Sequence, residues 1–305
     1  MRTLNEAEHL EKLVFGLRRQ TRRVDDFVLV DSGSSDGTVE LAEKLGFRVT
    51  HIPKSEFSFG RSLNIGFDFV DADLVINLSA HVYPLSEEFV EKLLEPFEDE
   101  TVGFTYGRQV GNSQSAFSEK QLMLDWYPPH PKSQTSSESF ANNANAAVRK
   151  LVWEKYKFDE ELPGLEDIEF AKRISAAGIR TEYCFEAAVV HIHDEVWKKI
   201  FNRYRREAIA LSRFSPNSTV SFFQAFGLAT LHILRDAKAA KFGLFGEILG
   251  ILRFRTAQFM GAFVGGREGS SAIDALLKDL YFPKQSIKAQ PSEVSGLQKI
   301  DYKNL

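Results

Sequence analysis

The sequence predicts an α/β protein in which a mostly parallel sheet is flanked by helices and followed by a helical C-terminal extension. Three observations carry this. Phe27-Val28-Leu29-Val30 is a short apolar run without polar alternation, the pattern of a parallel strand buried on both faces. Strand-like and helix-like segments alternate over the first hundred residues, which right-handed crossovers assemble into an open sheet. Polar clusters at Asn5-Glu6, Asp31 to Asp36 and Ser79 to His81 fall where strands end, the edge at which such sheets bind ligands.

Asn5 with Glu8 spells a capping box, and Leu10, Leu13, Val14 and Leu17 follow at helical spacing. Arg2 to Glu6 resembles the turn after a first strand, yet no strand precedes it. The expectation is a truncated start, in preference to a sheet lacking a central element. Asp36 is placed to cap a helix bearing Val39, Leu41, Ala42 and Leu45, which Gly46 ends. Residues 47–52 read as a strand, 61–69 as a helix, and 74–78 as a strand ending at Ser79-Ala80-His81. Ser86 is placed to cap a helix with Phe89, Val90, Leu93, Leu94 and Phe97 on one face.

After a strand over 102–110 the regularity lapses. Residues 128–139, rich in Pro and Ser, read as a long mobile loop of the kind that serves as a lid or binding segment. Helix and strand resume over 145–193, and the chain to about residue 266 is mainly helical. The polar residues from about Gln285 read as a loosely held tail. The resulting division is a sheet domain over 1–210, a helical extension over 211–285 and a tail over 286–305.

A chain of 305 residues can bury a substantial core. Its 38 Lys and Arg against 42 Asp and Glu leave a net charge of -4, which argues against nonspecific nucleic-acid binding. The single cysteine, Cys184, excludes an intramolecular disulfide, fits a reducing compartment and reads as a buried inert thiol. The start has no apolar signal-peptide core, and no uninterrupted apolar run reaches the roughly 20 residues of a membrane span. Val220 to Leu252 comes nearest, but Arg235, Asp236, Lys238 and Lys241 interrupt it. It reads as a packed helical subdomain in preference to an interfacial helix.

A carboxylate directly after a buried strand accepts hydrogen bonds from ribose hydroxyls or a base N–H, so Asp31 suits a nucleoside. Turn chemistry explains Asp31 equally well, and an N-cap explains Asp36. The ordered set is more specific. Arg2-Thr3-x-Asn5-Glu6 comes first, then Val30-Asp31-x-x-Ser34-x-Asp36-x-Thr38, then Gly60-Arg61-Ser62-x-Asn64-x-Gly66. Further on stand Asn142 to Arg149, then Gly164-Leu165-Glu166-Asp167 with Phe170 and Arg173. Together these resemble the inverting family 2 glycosyltransferases of GT-A fold, and within them the bacterial rhamnosyltransferase-like members. The resemblance covers residues 1 to about 210.

The resemblance implies an enzyme that moves a sugar from a nucleoside-diphosphate sugar to a hydroxyl of a glycan or glycolipid acceptor. It also implies a cytoplasmic protein of polysaccharide assembly, peripheral on the inner membrane face, with no nucleic-acid partner. Asn5, Glu6, Asp31 and Asp36 would line the nucleotide pocket, Arg61 and Asn64 would lie beside the donor, and Asn142 and Asn145 on the acceptor side. Glu166-Asp167 match the family's acidic pair, with Asp167 as general base. It would take the acceptor's proton as the oxygen attacks the anomeric carbon opposite the leaving nucleotide. Two acids opening a helix also favour its dipole with no catalysis at all.

One departure stands out. Where the family carries a metal-binding Asp-x-Asp, this chain has Ser79-Ala80-His81, with His81 at the direct ligand's place and Ser79 lacking the charge that would meet ribose or metal. Imidazole suits Mn²⁺ better than Mg²⁺, so the implied cofactor is a divalent cation, Mn²⁺ ahead of Mg²⁺, with metal-independent transfer as the alternative. His191 and His193 are spaced to share one face of a strand. A late histidine joins the metal or diphosphate in some GT-A enzymes, and His193 is the preferred candidate here; core or surface histidines are the plain alternative. Arg203, Arg205 and Arg206 follow on a helix, with Arg203 the candidate for the diphosphate against a merely solvated face. The rival function is a nucleotide-sugar-binding protein that has lost catalysis with its Asp-x-Asp. Glu166-Asp167 argues for the enzyme, because a binding module needs no base.

Overall fold

The structure is a computed structural model that describes residues 1–132, 140–193, 196–215, 221–241, 245–268 and 297–302. Arg2–Thr3 (β1) pairs in parallel with Val28–Asp31 (β2), which pairs in parallel with Arg48–His51 (β3). All four β2 residues are buried, as the unalternated run predicts. Ala7–Arg18 (α1) and Thr38–Lys44 (α2) pack Leu10, Val14 and Ala42 on Leu29. Phe59–Asp68 (α3) takes the opposite face, where Gly66 touches Val30. A two-residue strand, β1, precedes the turn where the sequence pattern shows none. There the Met1 amine donates to the Val28 carbonyl at 3.1 Å, and burial pushes the amine down to about 5.

The second sheet holds Leu74–Leu78 (β4), Val82–Pro84 (β5), Val102–Val110 (β6), Asn145–Arg149 (β7) and Arg180–His191 (β8), in the order β4-β7-β6-β8-β5. β6 and β8 are parallel, while β7 runs antiparallel to both β4 and β6. Arg2 bridges Ser79 and joins the two sheets. Phe89–Leu94 (α4) covers one face and packs Phe89, Leu93 and Val102 into a shared core. Phe117–Trp126 (α5) forms where the sequence looked irregular. Its apolar and polar residues are nearly evenly spread, so periodicity does not reveal it. Lys150–Tyr156 (α6) and Glu166–Ala176 (α7) complete the α/β part, with Trp153, Phe158 and Phe170 in a second core. Cys184 is buried in the first core, beside Leu93 of α4, and burial pushes its thiol up to about 12.

Three long helices follow as expected: Trp197–Phe214 (α8), Phe222–Ala239 (α9) and Phe245–Glu268 (α10). α10 lies close on α8, for a Cβ at Gly261 or Gly265 would stand only 2.3 and 2.1 Å from the Phe201 and Arg205 carbonyl oxygens. The fully buried Arg255 fastens α10 to α9 through Asp236 at 2.7 Å. Among the described residues no helix is long and apolar enough to cross a membrane.

Several predicted caps form differently. Asn5 adopts a left-handed conformation (φ 58°) and accepts from the Ser35 N–H, so the Asn5–Glu8 box is absent. Asp36 caps from outside: its carboxylate accepts from the N–H of Ala7, which opens α1, and from that of Thr38, which opens α2. Ser86 caps nothing, because Glu88 occupies the cap position of α4. Residues 133–139 of the expected loop, and 286–296 and 303–305 of the expected tail, lie outside the described residues. Residues 297–302 are docked, with the Ile300 N–H donating to Leu85 and the Tyr302 hydroxyl to the Pro84 carbonyl at 2.7 Å.

Candidate active site

The carboxyl ends of β1, β2, β4 and β8 open on one cleft of about 520 Å³, walled on the far side by the start of α7 and by α8. Thr3, Ser32, Ser79 and His191 mark the four strand ends, and Glu166, Asp167, Arg203 and Glu207 face them. A smaller pocket of about 90 Å³ adjoins it around Leu122, Trp126 and Tyr127 and shares Asn142, Asp167 and His193 with it.

Asp31 shapes the cleft's β2 edge from beneath. Its carboxylate accepts from the Gly33 and Ser34 N–H groups at 2.8 and 3.0 Å and from the Ser34 hydroxyl. Burial alone would raise this carboxyl, but the Ser34 and Gly33 hydrogen bonds outweigh it and hold it below the usual carboxylate range. Asp31, Asp36 and the Asn5 side-chain oxygen thus brace the turn outside the cleft lining, and Ser32 is the turn residue that faces the cleft. Glu6 does reach the cleft, where its Oε1 lies 3.0 Å from His81 Nδ1.

Leu165 holds a left-handed conformation (φ 57°), a strain of about 1 kcal/mol or more for a side-chain-bearing residue, and α7 begins immediately after it. Glu166 and Asp167 are consequently buried at the cleft floor, 3 and 9% exposed. Arg2 Nη1 donates to Glu166 Oε1 at 2.9 Å, while the Asn143 N–H donates to Asp167 Oδ2 at 2.9 Å. Burial and the Glu166 charge push Asp167 up to about 7, against the lowering effect of the Asn143 and Ile168 N–H groups.

The three histidines meet. His81 stacks on His191 with ring centroids 5.0 Å apart, and His193 Nε2 lies 3.0 Å from His191 Nε2. Each Nδ1 faces an acceptor oxygen: His81 on Glu6, His191 on Gln109 at 2.6 Å, His193 on Glu119 at 2.7 Å. Gln109 is oriented by donating its amide to Asn142 Oδ1 at 2.8 Å. With both Nδ1–H groups so used, His191 and His193 direct two nitrogen lone pairs at each other, an arrangement that calls for a proton or a metal ion between them. Burial, with His193 and His81 beside it, pushes His191 far below its usual value, which keeps it neutral and able to bind a metal. Ligand atoms of His81, His191 and His193 all lie within 4.8 Å of one another, so the donor set fits a divalent cation. Ser79 Oγ is 3.0 Å from His81 Nε2.

Other expected residues are placed elsewhere. Arg61 is exposed and pairs with Glu160 at 3.2 Å, outside the cleft lining. Asn64 is buried and saturated: it accepts from Trp153 Nε1 and the Phe158 N–H and donates to the Phe158 carbonyl and Glu160. Its motif position therefore serves the joint between α3 and the 153–160 segment. Asn145 is fully buried and donates to the Arg108 and Ala187 carbonyls, whereas Asn142 lines both cavities. Arg203 lines the cleft and pairs with Glu119 at 3.0 Å; Arg205 turns out to Glu268, and Arg206 covers the Phe59 ring.

Sequence reasoning missed Arg2 as a partner of Glu166, and Gln109 and Glu119 as supports of the histidines. Glu119 is buried on α5, where burial would raise it but Arg203 and His193 hold it down to about 2. A buried acid on an unrecognised helix leaves no local signal; the Arg2 side chain was visible only as part of a motif.

Comparison with known proteins bears on the family and the fold. A family profile described as "Glycosyl transferase family 2" matches residues 1–156. The chain is 27% identical over 221 residues to the O-antigen chain rhamnosyltransferase RfbN of Salmonella typhimurium, covering 66% of this chain and 68% of that protein. It is 27% identical over 197 residues to the O-antigen chain rhamnosyltransferase WbaN of Salmonella anatum, covering 61% of this chain and 62% of that one. A mannosyltransferase from Pyrobaculum calidifontis, solved in complex with GDP-Man and Mn²⁺, shares the fold with a TM-score of 0.56 at 16% identity, covering 93% of this chain and 86% of that one.

Proposed function

The chain belongs to glycosyl transferase family 2, and from that premise we propose an inverting enzyme that moves a deoxyhexosyl group, rhamnosyl in class, from its nucleoside-diphosphate donor to an acceptor hydroxyl in bacterial polysaccharide assembly. The names of the two Salmonella relatives support the donor class. The observation that carries the mechanism is Asp167, a buried carboxylate pushed up to about 7 at the junction of the cleft and the smaller pocket.

A base poised near neutrality removes a hydroxyl proton in step with attack on the anomeric carbon. The Asn143 N–H holds Asp167 Oδ2, and Arg2 occupies Glu166, so Asp167 is the carboxylate left to meet the acceptor. Across the cleft, Lys54, Arg203 and Arg206 offer positive charge to the diphosphate as it leaves. A divalent ion, Mn²⁺ ahead of Mg²⁺ for nitrogen ligands, would be held by His81, His191 and His193 and would offset diphosphate charge. The ordered turn over Asp31 presents Ser32 and its neighbours to the nucleoside.

A rival reading is a nucleotide-sugar-binding protein without turnover. The raised, buried Asp167 favours the enzyme, because a binding site gains nothing from the cost of burying a carboxylate beside a second acid. The deciding experiment incubates the wild-type chain and Asp167→Asn with a panel of nucleotide sugars and an oligosaccharide acceptor, and follows both product and thermal stabilisation by the donor. The enzyme makes product that the variant does not, with donor binding retained by both. Donor binding without product in the wild type, across all donors and metals, supports the rival.

A further inference from the structure

One face of α9 is uncovered. Phe223, Phe226, Leu231 and Leu234 are 84, 65, 61 and 60% exposed, and they recur at helical spacing along about 16 Å of the helix. Ala225, His232, Asp236 and Ala237 are buried on the opposite side. Single exposed apolar side chains are ordinary, but a continuous stripe marks a contact surface.

The charges point to what it contacts. The stripe runs into Lys238 and Lys241, both exposed. The one acid of α9, Asp236, is fully buried against Arg255, so α9 shows no negative charge to solvent. Arg235 and Arg255 are spent on Asp125 and Asp236, which leaves Lys238 and Lys241 as the basic groups facing solvent at the end of the stripe. A second copy docked through this helix would bring no acid of α9 to either lysine. Lipid phosphates supply that countercharge at the end of the stripe. An exposed apolar stripe on a helix whose opposite side is packed against the protein makes an interfacial contact.

We propose that α9 lies on an anionic lipid surface, its phenylalanine and leucine stripe sunk to the acyl boundary and Lys238 and Lys241 among the headgroups. This surface is separate from the cleft, and its existence does not depend on the sugar-transfer reading. It does bear on that reading: α5 is tied to α9 by Asp125 and Arg235 at 2.7 Å, and it lends Leu122, Met123 and Trp126 to the smaller pocket. Seating α9 therefore brings that pocket close to the lipid, where an acceptor with a lipid anchor would be held.

The test is co-sedimentation of the full chain with phosphatidylcholine vesicles, with and without phosphatidylserine. The wild type should pellet with the anionic vesicles and much less with the neutral ones. Phe223→Glu with Phe226→Glu should cut the bound fraction about tenfold on either vesicle, and Lys238→Glu with Lys241→Glu should remove the preference for phosphatidylserine. All four positions are exposed, so an unchanged melting temperature shows the fold intact. Wild-type protein left in the supernatant with both vesicles overturns the proposal, as does unchanged binding by the variants. A dimer that the phenylalanine variant splits, without vesicle binding, assigns the face to self-association and equally overturns it. Transfer to a water-soluble acceptor should survive in the variants, which separates failure of this inference from failure of the proposed reaction.

Discussion

Arg2 Nη1 donates to Glu166 Oε1 at 2.9 Å, across 164 residues of sequence, and this pair gives two neighbouring carboxylates different tasks. Glu166 anchors the first strand to α7. Asp167, next in the chain, has backbone N–H donors and, among the described residues, no paired cation of its own.

Asp167→Asn should lower transfer by about two to four orders of magnitude while donor affinity stays within about threefold. In the wild type, activity should rise with pH through about 7 as Asp167 loses its proton. Stability should move the other way. The folded value lies above the unfolded 3.8, so the contribution is complete below that value and is lost as pH rises through about 7. Rate profiles and urea melts at matched pH check both slopes, and a flat profile through pH 7 removes Asp167 as base.

His81→Ala should sharply weaken the thermal stabilisation that Mn²⁺ confers in the presence of donor, because it removes one of three convergent ligands. The His191 and His193 lone pairs at 3.0 Å would retain weaker metal affinity. Titration of Mn²⁺ followed by melting temperature distinguishes the three single variants. Equal response in wild type and His81→Ala would place the ion elsewhere.

Glu119→Gln should weaken Mn²⁺ binding about 10- to 100-fold without touching the ion, since Glu119 fixes the His193 ring and tautomer at 2.7 Å. Because Glu119 is held down to about 2 from 4.5, its stabilising contribution is present above about pH 4.5 and lost as pH falls through about 2. Acid unfolding of the variant should accordingly be less steep in that window. A change in stability alone, with metal affinity intact, would reduce Glu119 to a structural partner of Arg203.

Asn64→Ala should destabilise the fold by about 2–4 kcal/mol, because Trp153 Nε1 and the Phe158 N–H lose their acceptor in a buried joint. Donor affinity of the folded fraction should be unchanged. A selective loss of donor binding, with normal urea stability, would return Asn64 to the donor site.

Legibility in the sequence followed the range of the interaction. The β2 run, the Gly46 stop with φ 89° and the two acids opening α7 are short-range patterns, and each appears where expected. Asn5 and Asp36 both read as helix caps, but Asn5 instead holds the Ser35 N–H, and Asp36 serves the starts of two helices separated by some thirty residues. The i, i+2 spacing of His191 and His193 implied a shared face, and both reach His81.

By itself, then, the sequence determined the α/β layering, the strand ends that form the cleft and the family motifs, because burial periodicity and turn chemistry act within a few residues. The tertiary structure alone decided which polar groups remained available for chemistry. Asn64 and Asp31 are consumed by internal hydrogen bonds, Arg61 is turned outward, and Glu119, Gln109 and Arg2 are brought in from distant elements. A buried polar atom must find a partner wherever the packed chain supplies one, and that choice depends on contacts that no local pattern encodes.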